Sequence, residues 1–357
     1  MVYFLPCEAN AAKRQLEAFN LGVHYLTALG QSESSFAVAK STDAYERLCF
    51  ALENIKPDLV LAGPVHSGGA LAALTECSPL IVMSWGYDTL SIPCQSEYLD
   101  SLVRFALSRA DIILGDCRAV KDAVSNLCPG SRDRIACFPW GVDLKTFRPD
   151  VARLGVRREF GWENHRIIIT ARSMEPIHGT MTFIQAINQV LQSDSNTRVI
   201  MVGDGTLRPC VDDFIAEHGL QEKVRVVGQV SEEILPHYFA ESDLYVSASS
   251  CDGSSVSMLE AMACSVAVIA SNVGGNKEWI LPRQNGWLCP VGDVDALANA
   301  TREALDDDEA RRKMGQANVR IVRKRADWSR NFGRFLDLCE HLVASGSPFN
   351  APAYAWL

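Results

Sequence analysis

No run in the 357-residue sequence is apolar for long enough to cross a bilayer, so a helical membrane span is not expected. None of the twelve cysteines stands in a CxxC pair, and Cys49, Cys77 and Cys264 lie inside apolar runs. Buried free thiols in a reducing compartment are therefore expected, and a zinc site is not. Positive charge is scarce as well. The 34 Lys and Arg stand against 43 Asp and Glu, a formal charge of -9, whereas a nucleic-acid groove needs a concentrated basic surface. No GxxxxGK[ST] occurs, which argues against a nucleoside triphosphatase, and no opening GxGxxG with a distant ribose acid supports a dehydrogenase. The opening MVYFLP is too short for the apolar region of a secretory signal and runs into the polar CEANAAKRQ. A cytoplasmic protein is expected, able to touch the inner face of a membrane peripherally.

What is present is globular: 48% hydrophobic and 22% charged residues, in a chain longer than one core usually supports. Two domains are expected, over residues 1–145 and 146–325. LVLAG, LIVMSW and DIILGD in the first half are short, unalternating apolar runs set between helical patterns. Such runs point to parallel strands covered on both faces. RIACFPWGVDLKTFRPD reads as the linker. The pattern then restarts with RIIITA, RVIMVGDG, VRVVGQV, DLYVSAS, AVIAS and NGWLCP as strands. An amphipathic helix over 326–345 either closes the second domain or crosses back to the first. The acidic DDDEA at Asp306 to Ala310 reads as a solvated turn.

In an open parallel sheet, ligands bind at the carboxyl ends of strands, where helix N-termini also point. Arg172, Gly203-Asp204-Gly205, Gly228-Gln229, Ser249 to Ser255 and Asn272 to Asn276 all fall at such ends. Gly253 lets backbone approach a ligand closely, and Ser254 to Ser257 can cap a helix that begins near Met258. Asp252 can accept hydrogen bonds from sugar hydroxyls. Glu260, in the first helical turns, suits adjacent hydroxyls such as those of a ribose, because each carboxylate oxygen is a charge-assisted acceptor. Arg172, with His178 beside Gly179 at a helix start, is the cation for a pyrophosphate.

Asp252 to Glu260 in DGSSVSMLEAMACSVAVIAS, together with NVGGNKEWI, NGWLCPVGD and SEEILPHYFAESDLYVSAS, resembles the retaining, nucleotide-sugar-dependent glycosyltransferases of family 4. The resemblance runs from about Arg166 to Leu305. It implies a GT-B fold: two Rossmann-like domains with parallel sheets facing across a cleft, the first binding an acceptor and the second a UDP- or GDP-sugar. It also implies a metal-independent hexosyl transfer with retention, with no bound cofactor, in polysaccharide, glycolipid or glycoside biosynthesis. Carried over by position, the family's donor-phosphate pair falls on Arg172 and His178, where the second member is usually Lys. An imidazole there is expected to be cationic part of the time near pH 7. Asp252 would contact the donor sugar, Glu260 the ribose, and Gly203, Gly205, Gly253, Ser254 and Ser255 would line the donor site. Gly274 and Gly275 belong to the loop before the final strands, and Val227 and Gly228 to the base-binding edge. The family's His in an HGxD-like loop is Trp85 here, in WGYD, which leaves Asp88 and His66 as the first-domain candidates for catalysis beside Arg172 and Asp252.

No glycine-rich loop follows the first strand, so the acceptor side is expected to be shortened or rebuilt. Arg104, Arg109, Arg118, Lys121, Arg132 and Arg134 form either a patch for an anionic or lipid-linked acceptor or a solvated face. A monomer and a homodimer both remain open. The rival functions are a sugar-nucleotide 2-epimerase or a phosphorylase of the same fold, and a donor-binding subunit without turnover.

Overall fold

The computed structural model describes residues 2–4, 23–25 and 42–345. The chain divides into two compact units, Met1–Pro139 with Phe332–Leu357, and Trp140–Asn331. The segment that follows the first strand, where the sequence shows no glycine-rich loop, lies outside the described residues.

The sheet of the first unit runs β2 (Val23–Tyr25), β1 (Val2–Phe4), β3 (Leu59–Ala62), β4 (Leu80–Met83), β5 (Ile112–Gly115) and β6 (Ile135–Cys137), with every neighbouring pair parallel. Strands β3, β4 and β5 are buried at every residue. Coverage on both faces removes the alternation a half-exposed strand would show, which is why the sequence there is an unbroken apolar run. The stretch from Arg134 reads as a linker, yet its Ile135–Cys137 form β6. Three residues carry too little pattern to mark a strand, and pairing with β5 (Gly115 opposite Cys137) decides the matter.

The second sheet has the order β12 (Gly286–Cys289), β11 (Ala267–Ser271), β10 (Leu244–Ser247), β7 (Arg166–Ala171), β8 (Thr197–Val202) and β9 (Val224–Gly228), again all parallel. Successive residues of β7 feed different cores. Ile168 packs with Phe183, Ile187, Val199 and Ile269, whereas Ile167 and Ile169 pack with Tyr245, Met258, Met262 and Trp279. This is the two-residue period of a strand with helices on both faces. Each fully buried side chain of this size contributes about 1.5–3 kcal/mol. The acidic run at Asp306 is more than a turn. Asp307 caps the helix Asp308–Arg325 by accepting from Ala310 N at 2.8 Å.

The order of strands reverses between β7 and β10. The chain builds β8 and β9 on one side of β7, then returns to lay β10, β11 and β12 on the other. Loops that leave β7 and β10 therefore diverge, and a crevice opens between them at their carboxyl ends. Among the described residues no helix is long and apolar enough to cross a membrane.

Candidate functional site

Arg172 is the first residue past β7, and Asp252 lies in the loop after β10, so the reversal of strand order brings together residues 80 apart in sequence. One guanidinium nitrogen of Arg172 donates to Ser255 Oγ at 2.9 Å. The other donates to both oxygens of Asp252, at 2.9 and 3.0 Å, and lies 2.7 Å from His178 Nδ1. The two charged side chains are only 13% and 12% exposed, so water screens this pair little. Burial alone would favour a neutral guanidinium, but the Asp252 carboxylate outweighs it and raises the Arg172 pKa.

His178 departs from expectation. Burial first, and then the neighbouring Arg172 charge, push its pKa down to about 3, so the ring is neutral at pH 7. Arg172 is thus the cation of this cluster, and His178 is a polar but uncharged neighbour.

The helix after the acid begins at Val256, two residues before the position expected from sequence, with Ser255 at its N-cap. The Ser255 hydroxyl does not cap the helix; it accepts from Arg172. Ser254 Oγ accepts from Trp279 Nε1 at 3.1 Å, and Tyr245 OH lies 2.8 Å from Ser257 Oγ. Tyr245 and Trp279, both fully buried, brace the serine loop and were not among the residues singled out from sequence. The signal was there: a lone tyrosine in an otherwise aliphatic strand needs a partner for its hydroxyl. Gly253 is buried, while Glu260, one turn into the helix, is half-buried.

Backbone crowding fixes the other side. Gly203 N donates to Gly228 O at 2.8 Å, joining the ends of β8 and β9. Gly203 has φ +129, and a Cβ there would sit 2.1 Å from the carbonyl oxygen of Arg172. Gly203→Ala is accordingly expected to destabilise the second unit by about 2 kcal/mol or more, from a backbone region essentially reserved for glycine. It should also weaken ligand binding by displacing the Arg172 backbone. Thermal unfolding and binding isotherms of the variant check both effects. At Gly205 a Cβ would meet Glu175 Oε1 and Met174 O at 2.7 Å. Gly228 has φ +76, and the half-buried Val227 packs against the core, leaving the backbone of this strand end as the edge a base could meet.

In the first unit, His66 follows β3 in the π-helical turn Val65–Gly69 and is 1% exposed. Burial pushes its pKa down to about 4, its Nδ1 has no hydrogen-bond partner, and its ring meets Tyr87 edge-on at 5.5 Å. Asp88 is fully buried. Its Oδ2 accepts from Val65 N at 2.7 Å, and its Oδ1 accepts from Ser84 Oγ at 2.7 Å and Trp85 N at 3.1 Å. Asp88, expected from sequence to meet an acceptor hydroxyl, ties the loop after β4 to the loop after β3.

The basic residues of the first unit are partly spent on their neighbours. Arg104 pairs with Asp100 at 2.6 Å, Arg109 with Glu76 at 3.6 Å, and Arg134 donates to Ala110 O. Lys121 and Arg132 line a shallow cavity of about 580 Å³ together with Asp122, Ser125 and Asn126. Among the described residues, no group of three or more His, Cys, Asp or Glu side chains could hold a metal ion.

Residues 156–320 match the family described as Glycosyl transferases group 1. N-acetyl-alpha-D-glucosaminyl L-malate synthase of Bacillus anthracis is 25% identical over 219 residues, 61% of this chain and 56% of that protein. The chain spans about half the length of the curated relatives it matches. Among solved structures, sucrose-phosphate synthase from Thermosynechococcus elongatus superposes with a TM-score of 0.82 at 18% identity, over 96% of this chain and 99% of that one. HepE of Anabaena, in complex with UDP-glucose, gives 0.80 at 18% identity over 96% and 99%. The chain therefore has a GT-B-type α/β fold and is related, through its second unit, to the group 1 glycosyl transferases.

Proposed function

We propose that this protein transfers a sugar from a nucleoside-diphosphate sugar to an acceptor hydroxyl, with retention at the anomeric carbon and without a metal ion. The observation that carries the reading is the largely enclosed Arg172 set between Asp252, Ser255 and His178 at the strand-order reversal of the second sheet. Diphosphates bind at such reversals, where one guanidinium and several backbone N–H groups offer fixed positive charge. In this reading the bond from the sugar C1 to the β-phosphate oxygen breaks, and that oxygen leaves with the electron pair. The acceptor hydroxyl attacks from the same face and gives its proton to the departing phosphate. Arg172 stabilises the charge that develops, which is the chief task left to the protein. Glu260 takes the ribose hydroxyls, Asp252 the donor sugar, and the backbone at Val227 and Gly228 the base. UDP and GDP are the favoured nucleotides. The acceptor belongs to the first unit, and the biosynthesis of polysaccharide, glycolipid or glycoside is the setting.

A binding screen of UDP, GDP, ADP, TDP and their common sugar conjugates tests the reading. Selective binding of one nucleotide is expected. Glu260→Ala should weaken it roughly 10- to 100-fold, the cost of losing hydrogen bonds to a charged group. A folded protein that binds none of them would sink the donor site. Burial of both His66 and Asp88 favours one second reading, a donor-binding subunit, which binding without turnover would identify.

A further inference from the structure

We propose that Asp252 competes with the ligand's diphosphate for Arg172, and that this competition selects the sugar-bearing nucleotide over the free one. The proposal rests on the donor-site reading above and concerns discrimination at that same site. A guanidinium has five N–H groups and grips phosphate best as a fork, through two parallel hydrogen bonds. In Arg172 the pair on Nη2 is taken by His178 Nδ1 at 2.7 Å and by both oxygens of Asp252 at 2.9 and 3.0 Å. One N–H of Nη1 goes to Ser255 Oγ at 2.9 Å. Nε is buried without a hydrogen-bond partner, out of a solute's reach. A single N–H of Nη1 is left over. A forked grip on phosphate therefore needs the donor that Asp252 holds.

Charge sharpens the competition. Among the described residues Asp252 is the only carboxylate hydrogen-bonded to Arg172, and Arg172 is the only partner of that carboxylate. Glu175, on the same side of the crevice, is occupied by Thr206 N at 2.9 Å and Thr206 Oγ1 at 2.6 Å. A diphosphate seated on Arg172 brings its negative charge within a few ångströms of Asp252. Both side chains are largely enclosed, so the repulsion is weakly screened. A free nucleoside diphosphate meets that repulsion and leaves the displaced carboxylate, which can only accept, with no donor. A nucleotide sugar carries hydroxyls just beyond the same phosphate, and these donate to the displaced carboxylate. The sugar offsets what the phosphate disturbs. The loop allows the exchange without unfolding. Gly253, Ser254 and Ser255 are buried and Ser254 is held by Trp279, whereas the half-buried Asp252 needs only to rotate its side chain.

Calorimetric titration of wild type and Asp252→Asn with UDP, GDP and inorganic pyrophosphate tests the competition. The substituted amide keeps an acceptor for Arg172 but carries no charge. The preferred nucleotide and pyrophosphate should therefore bind the variant roughly tenfold more tightly than wild type. UDP-glucose, UDP-N-acetylglucosamine and GDP-mannose test the selection. For whichever of them binds wild type best, the preference over its own free nucleotide should fall roughly tenfold or more in Asp252→Asn. Asp252→Ser, also neutral and smaller, should show the same pattern, with thermal unfolding confirming that each variant folds. Binding of pyrophosphate or free nucleotide that is unchanged or weaker in both variants would overturn the competition. A gain shared equally by nucleotide and nucleotide sugar would overturn the selection. Probes that bind the variants but not wild type would support the competition in its strongest form. Failure of wild type and variants alike to bind any probe would instead defeat the donor-site reading on which the proposal rests.

Discussion

Arg172→Ala is expected to slow transfer by about 10²–10³-fold and to destabilise the second unit at the same time. The guanidinium is the fixed cation nearest the proposed leaving phosphate, and loss of one well-placed donor to a developing anion costs about 10²–10³ in rate. The stability effect has a separate origin. Asp252 is only 12% exposed, and without Arg172 its carboxylate would be left buried and unpaired. Breaking such a pair by removing one partner costs about 3–5 kcal/mol. The two effects separate in a double variant. Asp252→Asn placed on Arg172→Ala removes the stranded charge and should recover most of the stability, while the loss in transfer remains. Denaturant unfolding and turnover of the four proteins in the cycle provide the check. If the double variant is no more stable than Arg172→Ala, the pair is not coupled as its geometry implies.

Asp88 should give the largest stability effect in the first unit. Asp88→Ala strands Val65 N and Trp85 N and removes one of the partners of Ser84 Oγ. A loss of about 3 kcal/mol or more is expected from unsatisfied buried donors and the cavity left behind. Asp88→Asn keeps one acceptor and can donate to Ser84, so a loss of about 1 kcal/mol is expected at neutral pH.

The pH dependence separates the variants further. Burial pushes the Asp88 pKa up to about 6, and the hydrogen bonds from Ser84, Val65 and Trp85 restrain the rise. An unfolded aspartate titrates near 3.9. Below about pH 4 both states hold the proton, and the stabilisation that proton gives the folded state is fully present. As pH rises the unfolded chain releases its proton first, so this contribution falls away up to about pH 6 and is flat above. Relative to Asp88→Asn, wild type should lose roughly 2–3 kcal/mol between pH 4 and pH 6.5. Other carboxylates cancel in this difference. They include Glu241, whose pKa backbone donors lower against the effect of burial and whose contribution grows as pH rises. A difference that does not vary with pH would mean that Asp88 titrates normally and is less enclosed than its contacts imply.

Much of the fold was legible because buried parallel strands write themselves as unbroken apolar runs. Leu59–Ala62, Leu80–Met83 and Arg166–Ala171 all stand where LVLAG, LIVMSW and RIIITA place strands. Ile135–Cys137 escaped because three residues cannot establish a pattern. The loop chemistry was legible for a similar reason. An acid among serines and glycine, followed by a short helix carrying a second acid, is a local arrangement, and local arrangements survive in one dimension.

What the residues do to one another was not local. His178 reads in sequence as a part-time cation, and only the contact with Arg172, in a buried corner, makes it neutral. Asp88 reads as an open carboxylate until Val65, 23 positions away, donates to it. By itself, the sequence determined two parallel α/β sheets and a polar loop at the end of one strand. Tertiary structure alone decided that β7 and β10 are neighbours, and so that Arg172 meets Asp252. Sheet order is set by the packing of helices on both faces, a global balance of buried area, while charge and protonation depend on distances of a few ångströms that only the folded chain defines.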